Sequence, residues 1–445
     1  MLALHGGAAR WWARVRGLSP RAILAIGFGL FVLYAFPGYM SSDSVQQLHE
    51  ARTRQFANPH PPFMAAVWSL LDAIISGPLL MLLLQGTLFL GGLVTLLRRR
   101  LAPRAAAVVA VGLLWFPPTL TTMGVIWKDS QMAAYLIAGA AALASERRGI
   151  RIAGLALLTG ACATRHNAFG AAVPLAGLLF VWRPDVGFWK RYAISGAAAI
   201  AVMLTAIGIN RALTVKKLFL TPAFADIVGV LNYTEDRTDE DLRHVLRDTP
   251  TRVWTNIQAT ARSLYSARNP YPVDHGDERL FDPPVTPLER EALTRAWKEI
   301  IASDWGAYFQ YRLASFRELL GLSDAPLWSP VYNGVIQYAD QPAYIDHDGV
   351  TSTVQNQAGL ALGWLATETP LFRPYLYGLL ALVLLVLCRD RTCFALLASG
   401  LLYELSFFFA GGTPDFRYSH WLIVCACTTA VLTGVRWRRG RAEAA

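Results

Sequence analysis

Five short polar clusters, each at the edge of an apolar run, hold the side chains able to do chemistry. The first, residues 38–50, contains Asp43, Glu50, His49, three serines and two glutamines. Asn58-Pro59-His60-Pro61-Pro62, Trp127-Lys128-Asp129, Arg165-His166-Asn167 and Asp415-Phe416-Arg417-Tyr418 follow along the chain. A carboxylate such as Asp43 can take a proton from a hydroxyl. Lys128, Arg165 and Arg417 supply the cations that hold a phosphate, the arginines with a bidentate fork. Asp129 is a second acidic group, able to pair with a cation or to ligate a metal. Asn58, His60, His166, Asn167, Asp415 and Tyr418 supply supporting hydrogen bonds.

Each cluster also has a plainer reading. Asp43, Ser41 and Ser42 are good helix caps, and a short helix over 45–51 would use one. Lys128 and Asp129 could form a simple interfacial ion pair. His49 and His60 read more naturally as loop histidines than as metal ligands, and Trp305 and Tyr308 as packing residues. Arg165 is harder to dismiss. A guanidinium inside an apolar stretch costs at least about 2.5 kcal/mol unless it is paired or faces water.

The elements that must position these clusters are membrane helices. Of 445 residues, 54 % are hydrophobic and 16 % charged, too apolar for an ordinary soluble protein. Apolar runs recur from residue 21 to 435. The net charge of +10 comes from arginines clustered in short loops between those runs, which marks the cytoplasmic side and argues against nucleic acid. The five cysteines sit in or beside apolar segments, without metal-type spacing or a disulfide pattern.

Charge alternation then sets a topology with both termini cytoplasmic. Apolar segments at 23–36, 79–97, 105–122, 131–144, 191–209, 374–388, 393–409 and 420–435 read as crossings. Residues 63–75 read as a helix on the outer face, and 105–122 as broken by Pro117-Pro118. Residues 152–182 have basic loops at both ends, so they read as two short helices meeting at Thr164-Arg165-His166-Asn167. The total is about ten membrane segments. Residues 210–371 carry most of the acidic residues and no clear span, and read as a mostly helical exoplasmic insert. Its best helix runs over 291–320, with Asp304 capping the second half. The division is therefore 1–209, 210–371 and 372–445. All five polar clusters fall on the outer face.

These motifs resemble the GT-C superfamily of integral-membrane glycosyltransferases, which use polyprenyl-phosphate-linked sugars. The first-loop Pro37-Gly38-Tyr39-Met40-Ser41-Ser42-Asp43-Ser44 with Gln47, the Asn58-to-Pro62 stretch and the three later clusters carry the likeness. The general plan is similar to protein O-mannosyltransferases and the lipid A aminoarabinose transferase. The resemblance implies an all-α, GT-C-like bundle with Asp43 as catalytic aspartate and Asp129 as the second acidic residue. It also implies a bacterial inner-membrane enzyme, with lipid-linked sugar and bilayer as partners and transfer inverting at the anomeric carbon. No Asp-Asp or Asp-Glu pair stands in the first loop, which leaves a divalent cation open as cofactor. The acceptor, a glycan, lipid or protein, is not readable. A transporter or flippase would show polar groups at mid-membrane and an internal repeat, and the sequence shows neither. A non-catalytic envelope-assembly protein is the other alternative.

Overall fold

Prolines and small polar caps decide where most helices begin. Pro20, Pro103, Pro117, Pro287 and Pro374 occupy first-turn positions, where the missing N–H costs nothing. Thr286 with Glu289 and Ser352 with Gln355 form capping boxes. The computed structural model describes residues 17–58, 60–183, 185–215, 222–269, 273, 278–335, 351–388 and 390–444. Among them are nineteen α-helices and no strands. Pro59 and Arg389 lie outside the described residues, as do the first sixteen residues.

The membrane part begins with α1 (Pro20–Ala35), α2 (Ser42–Thr53), α3 (Phe63–Asp72) and α4 (Leu79–Leu97). It continues with α5 (Pro103–Leu114), α6 (Pro117–Met123), α7 (Lys128–Leu143), α8 (Arg148–Thr164), α9 (Ala168–Ala176) and α10 (Phe188–Leu213). The insert supplies α11 (Pro222–Tyr233), α12 (Asp239–Val245), α13 (Ile257–Leu264), α14 (Pro287–Ser303), α15 (Trp305–Leu319) and α16 (Thr353–Glu368). Three closing helices follow: α17 (Pro374–Leu387), α18 (Arg391–Ala410) and α19 (His420–Ala444).

The expectation of about ten crossings is not met. Four segments are long and apolar enough to span: α4, α10, α18, and Phe416–Trp437, which contains most of α19. The α5–α6 pair, bent by 71° where Pro117 interrupts it, would make a fifth. Apolar character alone had suggested more, but length decides. Helices α1, α7, α8 and α17 have 14 to 17 residues, so they extend about 21–26 Å, short of the roughly 30 Å hydrocarbon core.

Small residues let the central helices approach closely. A Cβ on Gly92 of α4 would come within 2.9 Å of the α7 backbone, and one on Gly154 of α8 would strike Leu143. One core runs through the membrane helices. A second, built on Phe224, Ile227, Leu231, Leu293, Ile300 and Tyr311, belongs to α11–α15. Asp304 breaks the 291–320 helix as expected, its side chain accepting from the Ala307 amide. Tyr308 is buried, whereas Trp305, read as a packing residue, is largely exposed. Arg312 of α15 ties the insert to the membrane part, donating to Gly411 O (2.7 Å) and pairing with Asp226 (2.5 Å). Gln355 of α16 donates to the carbonyls of Tyr34 and Phe36 at the end of α1.

Candidate active site

Short main-chain bridges gather the loops that carry the site. Tyr39 N donates to Gly124 O and Tyr39 O accepts from Ile126 N, joining the first loop to the stretch before α7. Met40 N donates to Gly334 O, and Phe416 N to Trp328 O. The first loop and the 415–417 turn are thus both tied to residues 328–334.

Helix α2 is capped by Ser41, not Asp43. Ser41 N donates to Ser44 Oγ at 3.2 Å, and Ser44 Oγ donates to Ile126 O at 2.7 Å. Ser41 Oγ accepts from Trp127 Nε1 at 2.8 Å. Asp43 therefore stands in the first turn with its carboxylate released from capping. Glu50, the other acid of that loop, is turned inward and accepts from Gln46 Nε2 and from the Ala57 amide.

Arg417 lies at the centre. Its Nη2 is 2.7 Å from Asp43 Oδ2, and its Nε is 2.9 Å from Asp415 Oδ2 and 3.8 Å from Asp129 Oδ2. Its guanidinium also lies over the Trp127 ring, 4.8 Å from the centroid. Arg165 occupies the other side of Asp129, with Nη1 at 2.7 Å from Oδ2. It donates through Nε to Asn167 Oδ1, and covers Tyr418 and Phe407, which stack on each other. Tyr403 OH donates to Asp129 Oδ1 at 3.3 Å, and Asn167 Nδ2 to Ser406 Oγ at 3.0 Å. Lys128 Nζ donates to His60 Nδ1. Tyr418 OH meets Thr413 Oγ1 at 3.2 Å. His166 is exposed and faces the backbone of Asn58.

All eleven site residues expected from the sequence thus fall in one cluster or on its border. Their partners differ from the expectation in two respects. Arg165 and Arg417, expected to face a phosphate, are both engaged by carboxylates. Asp129, which the sequence offered either as an ion-pair partner of Lys128 or as a second acidic group able to ligate a metal, is held by Arg165 and Tyr403. Among the described residues no group of three or more His, Cys, Asp or Glu is arranged for a metal ion. The five cysteines are free.

Accessibility separates the three carboxylates. The side chain of Asp43 is 29 % exposed, against 1 % for Asp129 and 7 % for Asp415. Their charges separate them too. Burial opposes the charge on Asp43, but Arg417, His60 and Lys128 outweigh it and hold the carboxyl well below its usual range. Burial dominates at Asp415, raising it to about 6 despite Arg417. It also lowers His60 to about 3, with Lys128 adding to the effect. Lys128 falls to about 8, again through burial, with Arg165 and Arg417 reinforcing and Asp43 opposing. His60 is therefore neutral at pH 7, consistent with its Nδ1 accepting from Lys128.

The sequence reading missed Tyr403, Ser406 and Phe407. They stand at i, i+3 and i+4 on α18, so they share the face turned to Asp129 and Arg165. Polar residues at helical spacing within the apolar run 393–409 were the available signal. Glu404 was missed as well, whereas His420, expected beside Tyr418 as a hydrogen-bonding group, makes no such bond among the described residues. Glu404 accepts from Ser419 Oγ at 2.7 Å, while its Oε2 and both ring nitrogens of His420 are buried without hydrogen bonds among the described residues.

No family model, curated protein or solved structure matches the chain. The functional reading therefore stands on the geometry and on the motif resemblance.

Proposed function

We propose that this protein is a GT-C-type membrane glycosyltransferase that moves a sugar from a polyprenyl-phosphate donor to an acceptor hydroxyl. In this reading the protein lies in a bacterial inner membrane, with both termini cytoplasmic and the site on the outer face. The single observation that carries the proposal is the part-exposed Asp43 carboxylate held against Arg417, with Asp129, Arg165, Lys128 and His60 behind it.

The resting pairing suggests how the reaction proceeds. A carboxylate locked to a guanidinium is a weak base. A donor phosphate entering beside Lys128 competes for the Nη2 edge of Arg417 and displaces Asp43, whose basicity then recovers. The acceptor oxygen bonds to the anomeric carbon as its proton passes to Asp43. The bond from that carbon to the phosphate oxygen breaks, and its electron pair leaves with the lipid phosphate. Attack opposite the leaving group inverts the anomeric centre. Lys128, Arg417 and Arg165 stabilise the charge growing on the phosphate. Asp129 and Asp415 hold the arginines in place.

The transporter alternative asks for ionisable groups at mid-membrane. Glu404 is the buried acid inside α18. It lies six residues from the helix end nearest the site, about 9 Å along the axis. That depth fits support of the site better than a midplane relay.

The test is transfer from polyprenyl-phosphate sugars by purified protein in lipid. Asp43→Asn should abolish it while leaving expression intact. Full transfer by that variant would overturn the mechanism. Facilitated movement of the lipid donor across vesicles, with no transfer, would favour the transporter.

A further inference from the structure

At the end of the bundle away from Asp43, the helix termini enclose a cavity of about 1100 Å³. The separation follows from two helices. Pro78, at the start of α4, packs against Gly38 of the first loop. Nineteen residues later, about 28 Å along the axis, α4 delivers Arg99 and Arg100 to the cavity. Likewise α18 has Ser406 beside Asn167 and Arg391 at the cavity.

Among the described residues, five arginines line this volume: Arg99, Arg100, Arg147, Arg391 and Arg436. Two acids face them, Glu146 and Asp390. Asp390 is already committed, with Oδ1 capping α18 through the Thr392 and Cys393 amides and Oδ2 on Arg100. Arg99 donates to Ala144 O at 2.6 Å. Among the described residues, no ion pair engages Arg147, Arg391 or Arg436. Three guanidiniums around one volume repel each other, and an anion between them relieves that repulsion.

Arginines at loop ends can serve orientation alone, and Arg98 and Arg148 stand at such ends without lining the cavity. A second observation separates the cavity from that role. Thr433 lines it, is 6 % exposed, and its hydroxyl has no hydrogen-bond partner among the described residues. Leu96, Leu387 and Leu432 add apolar walls, and the exposed Trp437 lines the cavity beside them.

We propose that this cavity binds a phosphate-bearing anion, either the headgroup of an anionic lipid or a soluble phosphate compound. The three unpaired arginines take the phosphate oxygens, and the Thr433 hydroxyl donates a further hydrogen bond. The volume lies at the upper edge of small-molecule sites, which span about 300–1,000 Å³. This site is separate from the proposed transfer chemistry and does not depend on it.

Native mass spectrometry of the full chain in detergent tests it, with phosphatidylglycerol, phosphatidylcholine and inorganic phosphate as three separate probes. The wild-type protein should retain phosphatidylglycerol or inorganic phosphate, the retained probe identifying the source, and should not retain phosphatidylcholine. The triple variant R147Q/R391Q/R436Q should bind that probe at least about tenfold more weakly. Thr433→Val, which keeps the shape, should weaken it severalfold. The control R98Q/R148Q should bind as the wild type does. Absence of both anionic probes from the wild type overturns the proposal, as does equal retention by the triple variant. An equal loss in the control would assign binding to general surface charge, which also overturns it.

Discussion

Arg417 Nη2 and Asp43 Oδ2 lie 2.7 Å apart although 374 positions separate the two residues in the chain. The same guanidinium reaches Asp415 and, at longer range, Asp129. One cation thus balances much of the acidity of the site. Its removal leaves three carboxylates short of a partner, two of them nearly inaccessible to water.

Arg417→Gln should therefore damage stability as well as activity. Breaking a buried pair from one side costs about 3–5 kcal/mol. Thermal unfolding in detergent should show the loss, and adding Asp415→Asn should recover part of it. An unchanged unfolding temperature in the single variant would show that Arg417 is dispensable for the resting cluster.

Lys128 makes a prediction about pH. Its charge is present below about 8 and lost above. The phosphate contact, and with it transfer, should fall as pH rises through 8, and Lys128→Arg should carry the falling limb to higher pH. Stability has the opposite sign. Between about 8 and the ordinary lysine value near 10.4, the unfolded chain binds more protons, so the fold gains stability as pH rises. Rate profiles and denaturant titrations at pH 7 to 10 check both.

At acid pH two groups oppose each other. His60 titrates at about 3 when folded and at its ordinary 6.5 when unfolded, so it makes stability rise with pH across that interval. Asp415, raised from 3.8 to about 6, makes stability fall across its own interval. His60→Gln should expose the Asp415 contribution, giving a protein whose stability declines between pH 4 and 6 more steeply than that of the wild type. Denaturant titration over that range is the measurement.

The Arg312–Asp226 pair, at 2 % and 1 % side-chain exposure, joins α15 to α11 in the insert. Asp226→Ala should leave Arg312 buried and uncompensated, at a cost of about 3–5 kcal/mol. The double change D226L/R312M should restore most of that stability. Because Arg312 also donates to Gly411, next to the 415–417 turn, the double variant should keep its fold yet transfer more slowly. Unfolding and transfer assays on the same preparations distinguish the two effects.

Local features were legible in the sequence. The Asp304 cap, the Pro117 break and the interruption at 164–167 depend on neighbours within one or two turns, so residue types reveal them. Much of the polar cluster was legible too, because polar residues in an apolar chain are few, but Tyr403 and Ser406 inside α18 were not. Of the pairings, the local Asp415–Arg417 contact was legible, whereas those between distant segments were not. Nothing near Arg417 in sequence says that Asp43 is its partner, and a guanidinium beside an apolar helix reads equally well as a phosphate ligand. Ser41 and Asp43 both suit a cap, and only the contacts of Ser44 and Trp127 with the next loop assign that duty to Ser41. The crossing count failed for another reason: hydropathy and loop charge report composition, whereas spanning depends on uninterrupted helix length.

The main-chain bridges from Met40 to Gly334 and from Phe416 to Trp328 have a consequence for biosynthesis. At roughly 5–20 residues per second, Arg417 is made about 20–75 s after Asp43. Through that interval the nascent protein holds Asp43 without its principal counter-charge. Closure of the site is thus among the last events of maturation. Chains stalled before α18 would present an unneutralised carboxylate, a mark by which quality control could tell them from finished protein.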